Sequence, residues 1–445
     1  MSTSNSLRTE GRLLSLDAYR GLVMLLMASS GFAIGKTIAK HPGALTRTDL
    51  SQAATSSQQL WETLQYQFSH VAWTGCSLWD LIQPSFMFMV GVSLPFSFAR
   101  RKGMGHSAPL RMLHVIWRSP VLIALGVFLG SQSAAGTQFN FVNVLTQIGL
   151  GYTFLYVLVN RHFILQLLAV VAILGGYWTF FYKYEISPAE RQAVTTYITE
   201  ERGLPDSEWQ QFDGIAAHWN KHLNAAAHVD RDVLNRFPRT EPKWNGKRFW
   251  INSGGYQTLN FIPSLATMIF GLMAGQLLYS ERTAKQKLSR LMLGGLLCFA
   301  VSMAMDTSIW PIALEGGWSW SPIVKRIWSP GWALFSTGWT LWILAGFYAV
   351  IDVWGWKFWA APLVVVGMNS IAMYLMAQTI KPWIGRMLKT HLATLDQLCG
   401  WSQGCVYHLF SPDYLYADIL RSVATVFVMF LVCLWLYSRR IFIRI

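Results

Sequence analysis

Uncharged apolar runs of bilayer length recur along the whole of this 445-residue chain. A bilayer core takes roughly 20 apolar residues per helix. Ten such runs can be read: Leu16–Gly35, Leu78–Ala99, Met112–Gly130, Phe141–Val159, Phe163–Tyr182, Asn260–Tyr279, Leu288–Met305, Gly331–Ile351, Trp359–Thr379 and Tyr416–Tyr437. The expectation is an all-α polytopic membrane protein of about ten transmembrane helices, one domain over residues 1–445. Alternate loops are short and basic: Arg100-Arg101-Lys102, Arg161, ERTAKQKLSR at 281–290, Lys357 and the tail SRRIFIRI. Basic short loops stay in the cytoplasm, and an even number of spans places both termini there. The opposite loops, about 36–77, 131–140, 183–259, 306–330 and 380–415, are longer, although they hold Lys325, Arg326, Lys381, Arg386 and Lys389. The polar 183–259 stretch, with Trp209, Trp219, Trp244 and Trp250, is expected to fold as an extracytoplasmic cap. Its aromatic side chains suit sugar faces, but packing is the commoner use.

Composition agrees. The chain is 53% hydrophobic and 13% charged, where soluble domains carry about 25% charge. Its 22 Trp and 16 Tyr are residues that gather at membrane interfaces. The net charge of +14 falls largely in the short loops, which removes the nucleic-acid reading; a cytosolic site for a polyanion is the second reading of the same charge. The first apolar run follows Arg12 and Asp17, lacks a small-residue cleavage site and reads as a retained span. With no domain ahead of it, a bacterial inner membrane is the expected location. Of five cysteines, Cys298 and Cys433 lie in apolar runs and are expected to be inert. Cys399 and Cys405 share one outer loop, where a disulfide is open but not fixed by spacing.

Four stretches place polar residues where a membrane helix spends them at a cost. In RLLSLDAYRGLVMLLM, residues 12–27, Asp17 and Arg20 are three apart and share a helix face. They read either as a helix anchor with a snorkelling Arg or as a pair organising an anionic cytosolic ligand. In FSHVAWTGCSLWDLIQPSFMFMVGVSL, residues 68–94, His70 precedes the second span and Asp80, Gln83 and Pro84 open it. An imidazole works near neutral pH as base or nucleophile, and Asp80 would fix its tautomer. The plainer reading is an interfacial His and a helix-start Asp. Ten residues of unbroken helix would separate the two by about 15 Å, so contact requires 70–77 to fold back, which Gly75 permits. The third stretch, 327–359, is an aromatic-rich span. The fourth, VVGMNSIAMYLM, 365–376, carries Asn369 and Ser370 in mid-span, where each needs a partner and a neighbouring helix is the common one. His218, His222 and His228 have zinc-protease spacing, but Trp219 replaces the general-base Glu and Ala225 the Gly, so no metal is expected.

Taken together, these stretches resemble the catalytic membrane domain of the heparan-α-glucosaminide N-acetyltransferase family, from Arg12 to the C-terminus. RLLSLDAYRG resembles its opening motif, HVAWTGCSLWDLIQPSFMFMVG its His-x-x-Trp-x-Gly…Asp-Leu…Pro…Phe…Gly block, and GMNSI and RRIFIRI its later motifs. The match departs at the outer end of the first span, where Ser29, Ser30 and Gly31 replace an Asn, in a longer 36–69 loop, and at Leu145-Thr146-Gln147, where an Arg is missing. The resemblance implies transfer of an acetyl group from cytosolic acetyl-CoA, as co-substrate, to an amino sugar or glycan on the other side of the membrane. It implies His70 as catalytic with Asp80 beside it. Asp17, Arg20, Arg101 and Arg118 would serve the donor, since Arg forks match phosphate; Trp73, Asn369 and Ser370 would serve the acceptor. Membrane lipid is the expected surrounding, and a homo-oligomer stays open. A transporter or flippase for a glycan or lipid-linked sugar, and O-acetylation of a surface polysaccharide, are the alternatives.

Overall fold

The structure, a computed structural model, describes residues 13–46, 55–203, 212–240, 243–308, 318–398, 410–411 and 414–443. These residues are helix and loop. The strand-like pairs among them are the isolated bridges Trp244–Lys247 and Asp306–Ser319. In chain order the helices are α1 (Leu14–Ser29), α2 (Ile34–Lys40), α3 (Pro42–Leu45), α4 (Ser56–Gln67), α5 (Ile82–Gly103), α6 (Ala108–Gly130), α7 (Val144–Val157), α8 (Phe163–Lys183), α9 (Pro188–Thr196), α10 (Ala225–Val233), α11 (Phe261–Tyr279), α12 (Ala284–Met305), α13 (Pro330–Phe347), α14 (Ala361–Met368), α15 (Ser370–Thr379), α16 (Lys381–Leu398) and α17 (Ala417–Ser438). Among the described residues, seven helices are long and apolar enough to cross a membrane, or up to nine when the bent pairs Leu14–Ser29 with Gly31–Lys40 and Phe358–Met368 with Ser370–Thr379 each count as one span. The apolar helix Val144–Val157 is shorter, and the expected count of ten depends on it. The chain divides into two compact units, Met1–Leu16 with Pro84–Phe358, and Asp17–Gln83 with Trp359–Ile445.

In the larger unit, helices approach closely where glycine removes the side chain. A Cβ on Gly91 would run into the Met268 carbonyl, one on Gly271 into that of Phe88, and one on Gly275 into that of Val92, so α5 and α11 meet backbone to backbone. α6 and α7 are tied by Ser119 and Thr153 hydroxyls 2.8 Å apart. The loops assigned to one side by charge meet one another here. Arg239 donates to the Phe139 carbonyl at 2.7 Å, and Arg326 to that of Gly254 at 2.6 Å. Helix α7 starts among them, with Gln147 donating to the Thr258 carbonyl at 3.1 Å. Its far end brings Tyr156 within 6.0 Å of Phe98, two residues from the Arg100-Arg101-Lys102 run.

Residues 184–257 carry α9 and α10 around a small core of Val194, Ile198, Leu223 and Trp250. Ser187 and Asn224 cap the two helices. Trp219 stacks on Phe181 at 4.3 Å and Trp244 packs on Tyr197 at 5.1 Å, so these two aromatics are packing residues. Trp209 lies outside the described residues.

In the smaller unit, the first expected span is bent by 45°. Ser30, Gly31, Phe32 and Ala33 all hold positive φ, between 48° and 67°, which breaks any helix. Gly31 is required there, because a Cβ would meet the Phe68 carbonyl at 2.6 Å. Past the break, Ile34, Ile38 and Leu45 pack with Trp61, Leu64, Phe68 and Ile419. The late span Trp359–Thr379 is likewise two helices, bent by 69° at Asn369. α14 crosses the start of α1 so tightly that a Cβ on Gly367 would strike the Asp17 carbonyl and one on Gly21 that of Leu363.

Candidate functional site

His70 and Asp80 are brought together. Thr55 and Gln58 form a capping box that starts α4, and after Gln67 the chain doubles back through Gly75, whose φ is +100°. Tyr66 donates to the Cys76 carbonyl at 3.0 Å, and Leu78 N donates to Gln67 Oε1 at 2.9 Å, which clamps the two arms of the fold-back. A second capping box, Ser77 with Asp80, opens the turn leading into α5. His70 Nδ1 then lies 2.8 Å from Asp80 Oδ1.

The environments of the two residues differ in the way a base and its orienting carboxylate require. Asp80 is 1% exposed. Its Oδ2 accepts from Val71 N and Ser77 N, each at 3.2 Å. The Ser77 hydroxyl stands 2.9 Å from Oδ2 and 2.6 Å from the Ser69 carbonyl, and its single proton serves one of them at a time. A carboxylate oxygen accepts, so His70 donates to it through Nδ1–H, and in that tautomer Nε2 is the ring's basic nitrogen. The His70 side chain is 41% exposed. The arrangement can take a proton from a nucleophile, or attack an acyl carbon itself. Trp73, on the same loop, is 1% exposed and its side chain is packed inside.

Asp17 and Arg20 form an ion pair of 3.6 Å near the start of α1. Asn369 belongs to this end of the smaller unit. Its Oδ1 accepts from Ile443 N at 3.1 Å, its Nδ2 is buried without a partner among the described residues, and Gly367 two residues before it packs on Asp17. Ser370 opens α15 behind it. His70 belongs to the other end, where Phe68 meets Gly31. The length of α1 separates them, about 20 Å at 1.5 Å per residue, so Asn369 and Ser370 are not beside His70. Lys381 does belong to the His70 end. It caps α1 by donating to the Ala28 carbonyl at 2.6 Å and the Ser30 hydroxyl at 2.7 Å. Burial pulls its ammonium down to about 8.

Arg101 and Arg118, in the larger unit, fall into one basic cluster whose other members the sequence reading missed. Arg101 Nη2 lies 2.6 Å from His114 Nε2; a guanidinium only donates, so His114 accepts there as a neutral ring. Arg118 donates to the Tyr152 hydroxyl at 2.9 Å and lies over its ring at 4.5 Å. Arg111 bonds the His106 carbonyl and joins Arg101, His114 and Tyr152 around one small cavity that no carboxylate lines. Arg111 Nε and Arg118 Nε are buried without partners among the described residues. Residues 111, 114 and 118 are spaced i, i+3, i+7, one helix face, and that spacing was the available signal. A second missed group is Asp418 with Lys36 at 3.2 Å, Lys40 at 2.6 Å and Arg421.

The three histidines with zinc-protease spacing go separate ways. His218 Nδ1 meets the Tyr184 carbonyl, His222 is buried and His228 pairs with Glu190; no group of three metal-ligating side chains occurs among the described residues. Cys399 and Cys405 lie outside the described residues.

No protein-family model matches the chain. It is similar to human heparan-alpha-glucosaminide N-acetyltransferase, 22% identical over 400 residues, which is 82% of this chain and 52% of that protein. It is 23% identical to the mouse protein of the same name over 388 residues, 82% of this chain and 53% of the other. The chain thus spans about half the length of the curated relatives it matches. It is an integral membrane protein by its helices, and distantly similar in sequence to these two heparan-alpha-glucosaminide N-acetyltransferases.

Proposed function

We propose that this chain is a membrane acetyltransferase of ten spans, with both termini cytoplasmic, that moves an acetyl group from cytosolic acetyl-CoA to an amino sugar or glycan on the far side of a bacterial inner membrane. The observation that carries the reading is the pair of His70 and Asp80, 2.8 Å apart with the carboxylate buried and the imidazole exposed. Asp80 orients the ring and stabilises the imidazolium that forms when Nε2 takes a proton. In the direct route Nε2 takes the amine proton as nitrogen bonds the acetyl carbon, the C–S bond breaks, and the CoA thiolate leaves. In the two-step route Nε2 bonds the acetyl carbon first and passes it to the amine, which gives ping-pong kinetics. The same pair would activate a sugar hydroxyl for O-acetylation.

The arginines at 101, 111 and 118 support donor binding, because an acid-free cluster with unpaired guanidinium donors suits phosphate oxygens. Asp17 and Arg20 are read as an accessory pair for the donor. Asn369 and Ser370, expected to serve the acceptor, stand at the Asp17 end of α1 rather than beside His70. Trp73 supports the His70 loop from within and is not assigned a contact with substrate.

Labelled acetyl-CoA supplied to inside-out and right-side-out vesicles with glucosamine tests this reading. Label should reach the sugar, and His70→Ala should abolish transfer while acyl-CoA binding persists. The two bent helix pairs favour the second reading, a glycan transporter, since broken helices line transport sites. Glucosamine movement without acetylation, unaffected by His70→Ala, would establish that reading instead.

A further inference from the structure

We infer that Lys36, Lys40 and Arg421 form a binding site for a phosphate group carried by a lipid headgroup, at one end of the smaller unit. Lys36 and Lys40 are four apart on α2 and share a helix face. The 45° bend after α1 brings that face onto the start of α17. Lys36 Nζ lies 3.2 Å from Asp418 Oδ1 and Lys40 Nζ 2.6 Å from Oδ2. Arg421, three residues on from Asp418, donates to Oδ1 as well.

The charge in this group does not balance. Three cations against one carboxylate leave two positive charges, and no other acid pairs with any of the three among the described residues. The cations are also the accessible part. The Asp418 side chain is 5% exposed, whereas those of Lys36, Lys40 and Arg421 are 56%, 40% and 33% exposed. Each ammonium gives one N–H to Asp418 and keeps two, and the guanidinium keeps most of its five. The buried carboxylate thus gathers three cationic heads that would otherwise repel and spread, and an arriving anion does not have to order them. Guanidinium and ammonium donors at close quarters suit the oxygens of a phosphate.

Depth in the membrane says which phosphate. After Arg421 the next charged residue is Arg439. The helix between them rises about 27 Å, close to the hydrocarbon thickness of about 30 Å. Arg421 therefore stands at one edge of the hydrocarbon, where headgroup phosphates lie. Trp61 stacks on Tyr416 at 6.0 Å, one residue before α17 begins, and Trp and Tyr gather at that level. Two surplus charges favour an anionic headgroup such as phosphatidylglycerol over phosphatidylcholine, whose own ammonium offsets its phosphate. Both leaflets present phosphate at this depth, so the inference rests neither on sidedness nor on acetyl transfer.

Native mass spectrometry of the full chain in a non-ionic detergent tests it, with phosphatidylglycerol, phosphatidylcholine or glycerol 3-phosphate added. Phosphatidylglycerol should be retained in preference to phosphatidylcholine, and excess glycerol 3-phosphate should not displace it. Lys36→Gln and Lys40→Gln each leave Asp418 two cations, so the fold should persist with Tm nearly unchanged. Each should weaken retention about fivefold, the contribution of one basic residue at an anionic surface. Lys36→Arg should retain the lipid. Arg191→Gln removes the same charge from an exposed position on α9 and should change nothing. His70→Ala should hold the lipid as the unmodified chain does. Equal retention of the two lipids, undiminished retention in both Gln variants, or an equal loss in Arg191→Gln would each overturn the site. Displacement by glycerol 3-phosphate would make the ligand a soluble phosphate and overturn its assignment to lipid.

Discussion

At the scale of single residues, the decisive contact is a ten-residue excursion that ends 2.8 Å from where it matters. His70→Ala removes the proposed base, and general-base loss costs about 10²–10⁴-fold in rate; loss of a nucleophile would leave almost nothing. Asp80→Asn keeps the shape but offers His70 an amide in place of a charge. It should lower kcat by roughly 10²-fold or more with acyl-CoA affinity unchanged, measured by single-turnover transfer and by CoA binding. A second pair of residues predicts a pH signature. Burial, then Lys221 and Arg231, pull His222 from 6.5 down to about 3. Burial raises Asp230 from 3.8 to about 6 against its bonds with Thr258. The unfolded chain protonates His222 first, so that residue loses stability as pH falls from 6.5 towards 3. The folded chain protonates Asp230 first, so that residue gains stability as pH falls from 6 to 3.8. The two slopes oppose. Asp230→Asn should therefore be more stable than the unmodified chain at pH 7.5, by at most about 3 kcal/mol, and the gap should close towards pH 4. Thermal unfolding followed by Trp fluorescence across that range checks it; a gap that widens on acidification would contradict the assignment.

At the scale of elements, the smaller unit depends on α1 and α14 meeting without side chains between them. Gly21→Ala and Gly367→Ala should each lower Tm in detergent by several degrees through overpacking, of order 1–3 kcal/mol. Gly35→Ala, in α2 with nothing within 4 Å of its Cβ position, should leave Tm unchanged or slightly higher. Equal effects at all three sites would mean the close crossing is absent. The spans themselves were legible because long apolar runs have few other uses. Their bends were not. The break at Ser30–Ala33 carries no proline, and it is imposed by contact of Gly31 with Phe68, 37 residues away in sequence. Asn369 read as a mid-span polar residue, yet it is the hinge between two helices and holds the Ile443 backbone. The fold-back at His70 was legible as a requirement of distance, with Gly75 as the residue able to meet it. The arginine cluster was half legible: Arg101 and Arg118 stood out as charges, whereas His114 and Arg111 read as ordinary interfacial residues until their helix face was known. Glu190 and Arg231 could not be paired from sequence, since they lie on different helices 41 residues apart.

At the scale of the whole molecule, the account joins a membrane scaffold to one reaction. Reporter fusions after Ile445 and within 184–203 should report opposite sides, cytoplasm and exterior. That outcome follows from counting Val144–Val157 and both bent pairs as crossings. A cytoplasmic report from both positions would remove the cap from the acceptor side and the proposed direction of transfer with it. The +14 charge fits this orientation through its basic short loops. The most direct measurement of the central claim is acetyl transfer across sealed vesicles, comparing the unmodified chain with His70→Ala at equal amounts of folded protein. The account predicts labelled acetyl-sugar on the side opposite the acetyl-CoA, and none from His70→Ala although that variant still binds acyl-CoA. Transfer by His70→Ala at a rate near that of the unmodified chain would contradict it.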